Sequence, residues 1–229
     1  MPFTLEQVVP WGRSFDEYIA MFALTSADLR RRILGCGDGP AAFNTVASRN
    51  GGRVISVDPI YAFSKEQLRR RIEETYSIVM AETERNRDEF VWRHVQSPAE
   101  LGRLRMRAME DFLEDYEAGV AESRYIVGEL PSLPFTDSIF DLVLCSHFLF
   151  LYSQHLDLDF HIESIKELSR IAGEVRIFPL VELGARKSRH LDAALVRLSQ
   201  ADLVAEVTTV DYEFAKGGNQ MLRVTRAAA

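Results

Sequence analysis

The chain carries only two cysteines, Cys36 and Cys145, no Cys-x-x-Cys, and five scattered histidines. A disulfide framework and a metal site of ordinary ligand spacing are therefore not expected. Both cysteines fall at or near the ends of predicted buried strands and read as reduced, structural thiols. Apolar runs of membrane-spanning length are also missing, and Glu6, Arg13, Asp16 and Glu17 interrupt the segment where a signal peptide would need an apolar core. A cytoplasmic protein without a membrane partner is expected. Positive charge is in short supply: 27 Lys and Arg stand against 34 Asp and Glu, a formal net charge of −7. That balance argues against a broad nucleic-acid surface and for a small-molecule ligand. What is present, 47% hydrophobic and 27% charged residues, suits one soluble domain over residues 1–229 with a sizeable core.

The stretch RILGCGDGPAAFNTVASRNGGRVISVDPIY, Arg32 to Tyr61, says most about the chain. A short apolar strand, about Arg32 to Gly35, runs into a glycine-rich turn, a helix beginning at Pro40, and a second strand, Arg53 to Val57, that ends on an acid. This is the opening βαβ unit of a nucleoside-binding α/β domain. Gly37 and Gly39 let backbone approach a ligand without Cβ interference, and the helix that follows would bring free N–H groups to the same spot. Asp58 is placed to accept hydrogen bonds from both hydroxyls of a ribose. Gly37, Gly39 and Ala42 equally satisfy the dinucleotide pattern G-x-G-x-x-G/A, but Pro40 removes a possible N–H donor to a pyrophosphate.

Ahead of this unit, Ser14 and Glu17 form a capping box, with Tyr18, Met21 and Phe22 at helical spacing behind it. After it, residues 58–124 exceed an ordinary crossover. Two amphipathic stretches fill them, one marked by Leu68, Ile72, Tyr76 and Val79, the other by Leu101, Leu104, Ala108, Phe112 and Tyr116. We read an inserted helical lid over residues 64–119. Alternation then resumes with strands at Tyr125 to Gly128, Asp141 to Cys145 and Glu174 to Phe178, and helices at about Asp159 to Ala172 and Ser188 to Ala201. Two final strands, Val204 to Phe214 and Gln220 to Thr225, are joined by Lys216 to Asn219. So short a turn requires an antiparallel hairpin.

That order of elements, with the glycine turn, Asp58, GELPSLPFTDSIFDLVLCSHFLFLY and a closing hairpin, resembles the class I S-adenosylmethionine (SAM) dependent methyltransferases along nearly the whole chain. WGRSFDEY, GPAAFN, LPF, CSHFLFLY, RIFPL and YEFAKGGNQML are similar to an uncharacterised bacterial family within them. The resemblance implies an α/β fold: a mostly parallel, seven-stranded, doubly wound sheet with a C-terminal antiparallel hairpin and a helical insertion between strands two and three. It implies SAM as cofactor. It places Gly37 and Gly39, flanked by Cys36, at the cofactor's turn, Asp58 and Pro59 at the ribose, and Glu129 with the Leu130 amide at the adenine. Either Arg13 or Tyr18 would meet the methionine carboxylate, and Ser146 and His147 would face the sulfonium and the acceptor. The acid that opens the family's D-x-G-x-G-x-G pattern falls on Gly35, or on Ile33 in a rival register, and is absent either way. Restoring it with Gly35→Asp would then tighten SAM binding.

Methyl transfer from a sulfonium expels a neutral thioether, so a base is needed only for an acceptor that loses a proton, and His147 is the first choice. The expected function is methyl transfer to a small molecule. An NAD(P)-dependent oxidoreductase and a non-catalytic SAM-fold binding protein are the alternatives.

Overall fold

The computed structural model describes residues 9–93 and 95–227. Helix α1 (Phe15–Met21) leads into β1 (Arg32–Cys36), α2 (Phe43–Arg49) and β2 (Arg53–Val57). Two long helices, α3 (Lys65–Arg85) and α4 (Pro98–Ala121), precede β3 (Tyr125–Ile126), β4 (Phe140–Ser146), α5 (Leu158–Ile171) and β5 (Ala172–Phe178). A small pair, β6 (Val181–Glu182) and β7 (Arg186–Lys187), then α6 (Leu191–Ser199), β8 (Leu203–Thr209) and β9 (Gln220–Arg226), complete the described chain. The main sheet runs β3-β2-β1-β4-β5-β9-β8. Its pairs are parallel except those made by β9, which runs antiparallel to both neighbours. Strand order reverses between β1 and β4, which opens a crevice at their C-terminal ends.

Strand β4 shows why the sheet is buried on both faces. Leu142 and Leu144 point into a cluster with Tyr18, Phe22 and Phe43, whereas Val143 and Cys145 point into the opposite cluster with Ile162, Ile165 and Leu198. The period of two along an almost wholly apolar strand is what a doubly covered parallel sheet requires. Both cysteines are free and buried.

Three expectations need correction. Helix α2 begins at Phe43, not Pro40. The N-terminal segment crosses the glycine turn there: the Ala42 N–H donates to the Arg13 carbonyl at 3.0 Å, and a Cβ on Gly12 would lie 2.1 Å from the Pro40 carbonyl oxygen. The last hairpin has no tight turn, because β8 ends at Thr209, the Val210 N–H still donates to the Asn219 carbonyl at 2.9 Å, and the residues between them turn aside to pair with the α3–α4 connector. There the Val91 N–H donates to the Phe214 carbonyl at 2.7 Å and the Lys216 N–H to the Glu89 carbonyl at 2.9 Å.

The third correction concerns the insertion. Helix α4 packs on α2 and β3, and its Met109, Phe112, Leu113 and Tyr116 share one buried cluster with Tyr61, Leu68, Ile72 and Tyr125. The Tyr116 hydroxyl reaches the Tyr61 and Phe63 carbonyls at 2.9 and 3.0 Å. α4 is thus the crossover helix of the sheet and part of its core. Only α3, which lies against it and buries Leu68, Ile72, Thr75, Val79 and Thr83, is additional.

Candidate active site

The glycine turn closes by spending its own amides. Gly37 and Gly39 adopt φ of +66° and +54°, a region that glycine enters at no steric cost. The Gly37 N–H donates to the Val57 carbonyl at 3.0 Å, and the Gly39 N–H donates to Asp58 Oδ2 at 2.8 Å. Asp58 Oδ1 accepts from the Ile60 N–H at 2.9 Å. The turn therefore anchors the acid at the end of β2, and the expected free N–H cradle is not formed by these two glycines. Burial pushes the Asp58 carboxyl up to about 6 despite those two bonds.

Asp38 is the residue that sequence reasoning missed. Its side chain turns back under the glycine turn, where Oδ1 accepts from the Tyr18 hydroxyl at 2.7 Å and Oδ2 from the Ser56 hydroxyl at 2.6 Å. Burial raises it to about 6, with the two hydroxyls pulling the other way. The carboxylate fills the space beside Gly35, so an acid stands near the expected place although neither Gly35 nor Ile33 supplies it. Its sequence signal was slight: an acid at the variable position between two glycines.

Beside this acid lies a buried basic group. Arg13 donates through Nη1 to the Trp11 carbonyl at 2.9 Å, while its Nε is buried without a partner. Among the described residues no carboxylate forms an ion pair with it. Burial, helped by nearby Arg105, lowers its pKa to about 10. Arg105, on α4, is fully buried and ion-pairs with Glu17, leaving its own Nε and Nη2 unpartnered. Glu17 also accepts from the Tyr212 hydroxyl at 2.7 Å and from the Ser14 N–H at 2.9 Å. Only Arg105 bonds to Glu17, and Arg13 acts on that carboxylate through its charge alone.

His147 follows β4 with φ of +51°, held there by its N–H to the Phe178 carbonyl at 2.6 Å. Its Nδ1 lies 2.9 Å from the Ser146 hydroxyl. Enclosure, with Arg13 and Arg105 adding to it, keeps the imidazole well below its usual range and hence neutral.

These groups surround one cavity of about 420 Å³ at the C-terminal ends of β1, β2 and β4. Arg13, Tyr18, Cys36, Gly37, Gly39, Asp58, Pro59, Glu129, Leu130, Ser146 and His147 all line it, together with Asp38. Gly35 does not. It lies inside β1, its backbone buried, at the position where the family's motif carries its acid. Arg13, Trp11 and His147 also line a second, smaller cavity of about 110 Å³ under the paired connectors.

No family model matches the chain. An uncharacterised protein of Methanocaldococcus jannaschii is 33% identical over 223 residues, 97% of this chain and 98% of that protein. Among solved structures, magnesium protoporphyrin IX methyltransferase from Synechocystis with bound SAH superposes with a TM-score of 0.50 at 12% identity, covering 93% of this chain and 81% of that one. The same enzyme with bound SAM gives 0.47 at 12% identity, covering 93% and 78%. At such identity the likeness is one of fold.

Proposed function

Because this chain belongs to the family of the uncharacterised Methanocaldococcus jannaschii protein and has the class I methyltransferase fold, we propose that it is a SAM-dependent methyltransferase acting on a small molecule. The observation that carries this reading is convergence. Residues picked from five separate stretches of sequence, with Gly35 the one exception, line a single cavity at the switch point of the sheet. Its volume falls in the range of small-ligand sites, roughly 300–1,000 Å³. The donor set fits the cofactor: a buried guanidinium with an unpartnered Nε suits an anionic end, and a buried acid beside it suits an ammonium.

SAM would supply an electrophilic methyl group on a sulfonium. In our reading Asp58 accepts from the ribose hydroxyls, its carboxylate held in place by Gly39 and Ile60. Glu129 and the Leu130 amide meet the adenine, Asp38 the ammonium, and Arg13 the carboxylate. The Tyr18 and Ser56 hydroxyls fix Asp38. Ser146 orients His147 at the opening to the smaller cavity, where a neutral imidazole is in the state to take a proton from an acceptor.

The nicotinamide alternative loses ground on one point: the Gly37 and Gly39 amides, which a pyrophosphate would need, are already bonded within the turn. Thermal unfolding with SAM, S-adenosylhomocysteine and NAD(H) separates the readings, since only a ligand of the folded state raises the transition. Stabilisation by the first two and not by the third is expected. The reverse pattern would replace the proposal with the oxidoreductase.

A further inference from the structure

Resting on the reading of the larger cavity as the cofactor site, we propose that the smaller cavity takes a compact aromatic acceptor bearing an acidic hydroxyl, of the phenol class, and holds it as the phenolate. Size is the first argument. At about 110 Å³ the space falls well below the usual range of ligand pockets, so it suits a single ring and not a second nucleotide or a polymer. The second argument is the wall. Trp11, Phe90, Tyr152, Phe178, Tyr212 and Phe214 surround it, with Phe90 and Phe214 stacked at 4.8 Å and Phe178 edge-on to Tyr212 at 5.8 Å. Faces and edges are both on offer, which is the environment an aromatic ring packs into best.

The third argument is charge. Arg13 faces the cavity, and behind it Arg105 ion-pairs with Glu17. Of the acids in the wall, Glu182 is spanned by Arg189 at 2.9 and 3.2 Å, and Glu89 belongs to the connector at the roof. The Tyr212 hydroxyl is turned to Glu17 and the Tyr152 hydroxyl to the Val9 N–H at 3.4 Å. Arg13 lines both cavities, and its guanidinium has more N–H donors than the Trp11 carbonyl and a cofactor carboxylate take up, so it can also donate to an anionic oxygen in the smaller one. The roof closes by backbone pairing between Phe90 and Ala215, which would shield the reacting oxygen from water.

In the step that follows, the acceptor has lost its hydroxyl proton to solvent on entering as the phenolate, and its oxygen forms a bond to the methyl carbon. The carbon–sulfur bond breaks with its electron pair going to sulfur, while His147, kept neutral by its enclosure, lines the cavity beside the reacting oxygen.

The probe for the test is 4-nitrophenol, whose phenolate is yellow, added to protein saturated with S-adenosylhomocysteine. Saturable binding with a rise in the phenolate band is expected, and cyclohexanol should not compete. Leu151→Trp and Ala215→Leu fill the smaller cavity from two different walls, and neither residue lines the larger one. Each should weaken nitrophenol binding by at least about tenfold, while S-adenosylhomocysteine affinity stays within about twofold. An unchanged or falling phenolate band, equal competition by cyclohexanol, or undiminished binding in both variants would overturn the proposal. So would a short RNA oligonucleotide displacing the probe. If the parent protein does not bind S-adenosylhomocysteine, the cofactor reading fails by itself, and the same titration without it judges the smaller cavity.

Discussion

Asp38 occupies the space that a side chain on Gly35 would take: a Cβ built there would come within 1.8 Å of Asp38 Oδ2 and 2.4 Å of its Cγ. An acid from three residues further on thus stands beside the position of the missing motif acid, and a side chain at position 35 would collide with it. Gly35→Ala should push Asp38 off Tyr18 and Ser56 and cost about 1–3 kcal/mol, the usual range for overpacking a filled site. Gly35→Asp should cost more and weaken SAM binding, contrary to the sequence-based expectation of tighter binding. The double exchange Gly35→Asp with Asp38→Gly should recover part of both losses. Urea unfolding and calorimetry read the two effects, and a stable Gly35→Asp with higher affinity would refute the placement.

The two buried acids give cofactor binding a pH dependence of definite sign. Asp38 and Asp58 are each held up to about 6, so at that pH both are partly protonated in the free protein. An ammonium beside Asp38 needs the charged form, and binding near that pH should release protons. SAM affinity should therefore fall on acidification from about pH 7 to about pH 5, with a binding heat that varies with the buffer's ionisation enthalpy. The free protein behaves in the opposite sense. A carboxyl raised above its unfolded value contributes stability that is fully present below that value and is lost as pH rises through about 6. Affinity that is flat over that range, without proton release, would remove Asp38 from the ammonium.

Asp58→Ala should abolish most SAM binding, since hydrogen bonds to a charged acceptor contribute about 1.5–3 kcal/mol each before compensation. The variant also frees the Gly39 and Ile60 amides. Asp58→Asn, which keeps one acceptor oxygen, is the control for collapse of the turn. Calorimetry should rank the affinities parent, Asn, Ala. Unchanged affinity in Asp58→Ala would sink the ribose assignment.

What the sequence disclosed, and what it hid, follows from the reach of each interaction. Gly37, Asp58 and His147 stand at the ends of strands whose apolar runs mark them, so their convergence could be read from order alone. Asp38 could not, because its direction depends on the positive φ of Gly37, and the same letters would allow it to face solvent. Helix α4 was misplaced for a related reason: a crossover helix and a lid helix carry the same amphipathic stripe, and only the partner of the stripe differs. Arg105 lies in the segment RLRMR, which looks like a solvated face. Its burial depends on Glu17, far away in the chain, and that acid was legible only as half of a capping box.

The Arg105–Glu17 pair decides whether α4 belongs to the core. Arg105 is fully enclosed and Glu17 nearly so. Burial opposes the charge on Glu17, but the adjacent Arg105 and Arg13 bring its carboxyl down to about 2. Arg105→Met removes the partner while keeping bulk and should cost about 3–5 kcal/mol, as breaking one side of a buried pair does. The acid response should change with it. In the parent, the depressed carboxyl contributes stability that is present above the usual glutamate range and lost as pH falls toward 2. In Arg105→Met that contribution shrinks, and acid unfolding should begin at higher pH. Arg105→Met combined with Glu17→Gln removes the stranded carboxylate and should regain part of the loss, less what the Arg13 guanidinium costs once that acid is gone. Were α4 a detachable lid, Arg105→Met would leave thermal unfolding where it was and alter only the handling of the acceptor, so an unshifted melting curve is the result that would contradict this account.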